Sequence, residues 1–375
     1  MVGGAATGAL HTAVKLAPLY SGTVVRVGDA SLSAGVCAAL TSPKRDIYAL
    51  KIADEQSALR KDYEESRSKE INSAKLVPLA EARLRRAKFE FAPKKAPFFG
   101  VETFDVGFDE IEKILPWGMY FRAWSVSNEK RGELDDFYGD TRAVLSRLAE
   151  LAKLKVRVGF YEAVSSGEDI EVYEKGGEIP CEVLNTVRTQ IPSREGVCAS
   201  IADFVAPKGG PRRDVIALFA ATVGKEADDF VGNFAKEGDS YSQMIAKNLC
   251  DMVAESLSRY VQLKFFAPAL GIANARGAGD LAASGIRAAV GYPSYPDHAQ
   301  KLKFEKLLSM RDSVGISLTG SYMMTPQSSV CALWIGNPAA RYIDAKIAED
   351  QIADFCARTG RDSADASRNM AASII

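Results

Sequence analysis

The stretch from Val156 to Tyr173 constrains this chain more than any other. Val156, Val158 and Phe160 fall on one face of an alternating run, Ser165-Ser166-Gly167-Glu168-Asp169 carries turn chemistry, and alternation resumes over 170–173. A side-chain period of two on both sides of a short polar turn predicts a β-hairpin, and hence an antiparallel sheet. Further strands are expected at 215–222, 316–321 and 330–335. Long helices alternate with them. Residues 133–155 place Leu134, Phe137, Leu145, Leu148 and Leu151 on one apolar side, 244–264 form a second helix, and 345–358 a third that Gly360 ends. The fold class that follows is α+β, with a twisted antiparallel sheet and helices packed against it.

The N-terminal region reads differently. Gly3-Gly4 opens a helix with Leu10, Val14 and Leu16 on its apolar side, 23–27 is a short β-branched strand, and Ser31 starts a helix through Val36 to Leu40. One strand and two helices are too little for a covered parallel sheet, so residues 1–45 read as a truncated α/β, Rossmann-like fragment. Its strand is expected to lack a parallel partner nearby in sequence. Residues 46–96 are dense in charge and punctuated by Pro78 and Pro93, which suits a charged linker wrapping the following domain at 97–375. Its basic cluster, Arg83, Arg85, Arg86 and Lys88, reads as a solvated face.

Composition closes off several function classes. Lys and Arg number 47 and Asp and Glu 48, a balance that argues against nucleic acid as the main partner. No stretch of ~18 apolar residues exists, so no membrane span is expected. Cys37, Cys181, Cys198, Cys250, Cys331 and Cys356 are scattered with no Cys-x-x-Cys pair, which suits buried thiols in a reducing, cytoplasmic setting better than a disulfide framework or a zinc site. His11 and His298 are the only histidines, which rules out a three-histidine metal site. No catalytic or metal-ligating residue is assigned. Any difficult chemistry belongs to a cofactor.

Several segments carry a structural and a functional reading. Gly277-x-Gly279-x-x-Ala282 fits a dinucleotide fingerprint in letters but follows no strand. Trp117, Tyr120, Phe121 and Trp124 recur at helical spacing, first as a core-facing stripe and second as the wall of a pocket for a planar ring. Lys247, Asp251, Glu255 and Arg259 stand four apart, as a surface charge ladder would. The run from Gly285 to His298 packs Gly, Pro and aromatic residues around Arg287. It reads either as a ligand-binding loop with Arg287 as a carboxylate clamp and small Ala288 and Ala289 admitting close approach, or as a structural turn before a helix near Lys301.

Taken together, Pro116-Trp117 to Trp124-Ser125, Ala202-Asp203-Phe204-Val205-Ala206-Pro207, Gly285-Ile286-Arg287 to His298 and Asn337-Pro338 to Tyr342 resemble the activation domain of cobalamin-dependent methionine synthase. Gly3-Gly4-Ala5-Ala6-Thr7 and His11 to Lys15 resemble the tail of the B12-binding domain that precedes it. The resemblance implies a C-shaped α+β domain at 97–375 that binds S-adenosylmethionine and supports reductive methylation of cob(II)alamin to methylcobalamin. It implies a cobalamin-binding module in cis or in trans, and flavodoxin or a flavoprotein reductase as electron donor. The chain would act as part of a methyltransferase in methionine biosynthesis.

Carried over by position, Arg287 would clamp the ligand carboxylate, Ala289 would meet the adenosine through its backbone, Glu255 would accept from the ligand ammonium, and Tyr342 would line the pocket. Asp251, His298, Gly3 and Gly4 would face cobalamin. The sequence departs from the family pattern at Pro116, Leu281 and Ile343, each an apolar residue where the family carries a polar one. No Asp-x-His-x-x-Gly cobalt-ligating motif occurs, so cobalamin would be held mainly by regions outside this sequence. The alternative reading is a degenerate, non-catalytic remnant acting as a binding or scaffold protein.

Overall fold

The computed structural model describes residues 1–3, 8–28, 32–73, 76–91, 94–124, 135–272, 281 and 283–375. The chain separates into two compact units, Met1–Leu76 and Val77–Ile375. The expected linker at 46–96 is therefore shared between them.

In the first unit, β1 (Val2–Gly3) pairs in parallel with β2 (Arg26–Val27), Val2 opposite Arg26. The strand expected at 23–27 thus does have a parallel partner, and it lies at the very start of the chain. Gly3 belongs to that partner strand. The helix expected to open at Gly3-Gly4 instead begins with α1 (Ala9–His11) and continues through a π turn, Thr12–Leu16. Gly4 and Ser31 lie outside the described residues. Two helices follow, α2 (Ser33–Thr41) and the 29-residue α3 (Arg45–Ser73). Polar side chains of α3 hold the preceding loops. Gln56 Nε2 donates to the Val24 carbonyl at 2.6 Å, and Arg60 Nη1 to the Ala13 carbonyl at 3.0 Å.

The second unit opens on α4 (Leu79–Leu84), whose Leu79 and Ala82 are buried. Arg83, Arg85, Arg86 and Lys88 are exposed, as a solvated basic face requires, but Arg83 also reaches inward. Its guanidinium donates to Glu168 at 2.8 Å and to Asp354 at 2.8 Å, because α4 lies over a buried acidic cluster. Arg188, Glu168 and Asp203 are each almost wholly buried. Arg188 donates to Glu168 at 2.8 Å and to Asp203 at 2.6 Å. Asp203 also caps its own turn by accepting from the Ser200 backbone N–H at 3.0 Å. The Ala-Asp-Phe-Val-Ala-Pro motif is therefore a structural anchor.

The elements that follow are β3 (Gly100–Asp105), α5 (Phe108–Glu112), α6 (Trp117–Ala123), α7 (Asp135–Leu151), β4 (Lys155–Ser166), β5 (Asp169–Tyr173), β6 (Glu182–Asn185) and β7 (Asp214–Thr222). After them come α8 (Lys225–Lys236), α9 (Ser240–Val261), β8 (Ile286–Ala289), α10 (Lys301–Leu308), α11 (Met310–Val314), β9 (Ser317–Leu318), β10 (Met324–Thr325), β11 (Ser329–Ile335), α12 (Glu349–Thr359) and α13 (Ser363–Asn369). The large sheet runs β6-β5-β4-β7-β11-β8, with β3 added beside β4. All its pairings are antiparallel, and it curls into a half-barrel.

Period two assigns each strand residue to a face. Val156, Val158, Phe160, Phe219 and Trp334 face the core beneath α5 to α9. Ile216, Leu218, Leu333, Ile286 and Ala288 face the opposite core, beneath α10 and α11. Every residue of β7 is buried, as a central strand covered on both faces requires. The stripe at 117–124 lies against this core: Tyr120 and Phe121 are buried, and Phe137 stacks on Tyr120. The hairpin and the strands at 215–222 and 330–335 form as the alternation predicts, within a residue or two at their ends. The strand expected at 316–321 shortens to β9, which pairs with β10 in a separate two-stranded sheet. Gly360 ends α12 at φ 68°, in the left-handed conformation that glycine adopts without strain.

The thiols divide unevenly. Cys198, Cys250 and Cys331 are buried, Cys181 and Cys356 partly so, and Cys37 is exposed, against the expectation of buried thiols throughout.

Candidate functional site

The run from Gly285 to His298 begins as a strand and not as a loop. Gly285 sits at φ 85°, and a Cβ there would come within 2.2 Å of the Ile335 carbonyl oxygen, so only glycine lets β8 join β11 at this point. Alternation then buries Ile286 and Ala288 and turns Arg287 and Ala289 to the face that α9 covers. The edge position of β8 leaves the Arg287 backbone N–H without a strand partner. It donates instead to the Tyr342 hydroxyl at 3.2 Å.

Helix α9 brings the acids. Asp251 and Glu255 are one turn apart and project toward the sheet edge. The expected ladder does not form: neither acid has an ion pair along the helix among the described residues. Glu255 Oε1 accepts from Arg287 Nη2 at 3.2 Å, and Asp251 Oδ1 accepts from the Ser328 hydroxyl at 3.0 Å. Burial raises the Asp251 carboxyl above its ordinary value, with Ser328 pulling the other way. The Arg287 side chain is 17% exposed, and its Nε and Nη1 are buried with no hydrogen-bond partner among the described residues. A guanidinium with donors left over in a dry setting is a place for an acceptor to enter.

Beyond Ala289 the chain turns sharply. Gly291 donates to the Tyr295 carbonyl and Tyr295 to the Tyr292 carbonyl, both at 2.8 Å. Asp297 then caps the turn carrying His298 by accepting from the Ala299 N–H at 3.2 Å. The result is a groove of about 750 Å³ whose walls include Asp251, Glu255, Ala289, Tyr292, His298 and Lys301.

The structure thus brings Arg287, Glu255, Ala289, Tyr342, Asp251 and His298 to one edge of the sheet. Gly3 belongs to the first unit. Gly277, Gly279 and Ala282 lie outside the described residues. The residue missed from sequence is Lys301, expected only as the start of a helix. It is 3% exposed and places Nζ 2.8 Å from His298 Nδ1. The spacing of three residues from His298 was the available signal. What the site can do is hold a zwitterion: a guanidinium with spare donors for a carboxylate, and a carboxylate beside it for an ammonium.

A family model described as the activation domain of vitamin B12 dependent methionine synthase matches residues 107–360. Among solved structures, the chain is similar to one described as the crystal structure of the MetH reactivation domain bound to AdoHcy. The two are 27% identical, with a TM-score of 0.74, and the match covers 80% of this chain and 98% of that one.

Proposed function

The chain belongs to the vitamin B12 dependent methionine synthase activation-domain family, and from that premise we propose that Val77–Ile375 binds S-adenosylmethionine and supports reductive methylation of cobalamin. The observation that carries this reading is the Arg287 guanidinium, buried with Nε and Nη1 unpaired beside Glu255. An amino-acid head group supplies what both lack. The similar structure was solved with the demethylated form of the same ligand, which adds support.

When bound, S-adenosylmethionine supplies an electrophilic methyl on a sulfonium with a neutral thioether leaving group. The residues of this chain have the task of orientation. Arg287 takes the carboxylate on its spare donors while Glu255 keeps Nη2 and accepts from the ammonium. Ala289, with no side chain beyond Cβ, lets the adenosine reach the backbone of β8. Tyr342 closes the outer side, its hydroxyl tied to the same strand. Asp251 and His298 face a cobalamin-binding module in cis or in trans, and flavodoxin or a flavoprotein reductase supplies the electron.

Calorimetric titration of the full chain with S-adenosylmethionine tests the site. Charge-assisted hydrogen bonds are worth roughly 1.5–3 kcal/mol, so Arg287→Ala should weaken binding about 10- to 150-fold. Arg287→Lys should recover part of the loss, and Glu255→Gln should cost less, since an amide oxygen still accepts. Equal binding by wild type and Arg287→Ala would sink the site. No binding by the wild type at millimolar ligand would favour the non-catalytic remnant.

A further inference from the structure

His298 is held in an unusual way. Its ring lies against the turn at Gly291, where φ is 96° and a Cβ would approach the imidazole to 2.3 Å. No carboxylate among the described residues hydrogen-bonds to it. The adjacent Asp297 is buried and fully engaged: Oδ1 accepts from Ala299 N–H at 3.2 Å, and Oδ2 from Gln300 at 2.9 Å and Arg361 at 2.6 Å. The partner of Nδ1 is the Lys301 amine at 2.8 Å. Lys301 is 3% exposed and has no carboxylate within ion-pair distance among the described residues. Nε2 of His298 has no hydrogen-bond partner among them either.

An ammonium has donors and no acceptor, so a Lys301–His298 contact at this distance requires a lone pair on Nδ1. The neutral ring must then carry its proton on Nε2. A second proton on the imidazole would set two donors and two positive charges face to face. We infer that Lys301 is the positioning residue of His298, fixing it as the neutral Nε2–H tautomer and so presenting the groove with a hydrogen-bond donor. The class of group this corner suits is an oxygen acceptor beside a buried positive charge. The assignment rests on the proposed use of the groove only for what that donor meets; the tautomer is a property of the free chain.

The directions of the proton equilibria agree. Burial lowers the His298 imidazole, and the Lys301 charge lowers it further, against a smaller pull from Asp297. Burial also lowers the Lys301 amine, with Cys331 and Asp297 pulling it the other way. The other titratable groups around the groove are Asp251 and Glu255 on α9, Tyr292 on the turn and Cys331 on β11.

The sequence makes the test direct, because His11 is the only other histidine. Histidine-¹⁵N NMR of the full chain between pH 4.5 and 8 reports tautomer and charge for two rings, and His11→Gln assigns them. His298 should show a protonated Nε2 and an unprotonated Nδ1 throughout the neutral range, with no titration near pH 6.5. Lys301→Met should raise its midpoint and mix the tautomers, while Lys301→Arg should restore the wild-type pattern. A wild-type ring protonated on both nitrogens at pH 6, or one protonated on Nδ1, overturns the assignment whether or not the variants fold. A spectrum unchanged in a folded Lys301→Met does the same. S-adenosylmethionine binding plays no part in this measurement, so its failure and that of the proposed function are separable.

Discussion

In the second unit β7 is buried at all nine of its residues, and its sheet is covered on both faces by two apolar clusters. In the first unit the described strands are two residues long, and the buried described residues are Thr12, Ala13 and Val25. The 29-residue α3 of that unit leaves Ile47 and Leu50 69% and 65% exposed, and is dense in charge along its length. A chain segment holds its shape in proportion to the apolar surface it removes from water. The second unit can therefore bear polar cost: it buries Arg188, Glu168 and Asp203 together, and leaves Arg287 donors unpaired at its edge.

The strongest way to break this contrast is to divide the chain between residues 76 and 77. Residues 77–375 alone should unfold in one cooperative thermal transition. Residues 1–76 alone should show helical circular dichroism that declines gradually on heating, because isolated helices gain little without tertiary packing. A sharp transition in the short piece would refute the comparison.

Next in size is the buried ionic cluster. Removing one partner of a buried pair strands the other charge, so Arg188→Ala should lower the unfolding free energy by about 3–5 kcal/mol in denaturant titrations. Acid should act on the same cluster. Burial pushes the Glu168 carboxyl up, but Arg83 and Arg188 outweigh it, and its folded value lies below the ordinary 4.5. A depressed folded value means that its stabilisation is complete above pH 4.5 and is lost as the pH falls through the folded value. Stability measured from pH 6 to pH 2 should therefore fall, and Glu168→Gln should flatten the slope. An equally steep decline in that variant would place the acid sensitivity elsewhere. The smallest effect belongs to the first unit: Lys51→Ala removes an exposed pair with Glu55 at 3.8 Å and should change stability by no more than ~0.5 kcal/mol.

The sequence by itself determined the elements of the second unit whose periodicity is strong, and which face their apolar residues take; β3, β6 and β8 carry no such signal. The hairpin at β4–β5, the core stripe at Trp117–Phe121 and the stop at Gly360 are local, since a period of two, a period of 3.6 and a left-handed turn are set by neighbouring residues. The sequence also singled out Arg287 and Glu255, through their resemblance to a known motif. Only the tertiary structure decided their partners. Arg287 meets an acid 32 residues away, and Arg83 meets Glu168 85 residues away and Asp354 271 residues away. Which acid a basic residue meets, even one as exposed as Arg83, depends on what the fold brings opposite it, and no local pattern encodes that. The same holds for β2, whose partner is the first strand of the chain, and for Lys301, whose burial follows from α10 packing against the sheet. Periodicity records how a segment divides its own surface between water and core; the identity of the group across the gap is fixed by long-range packing.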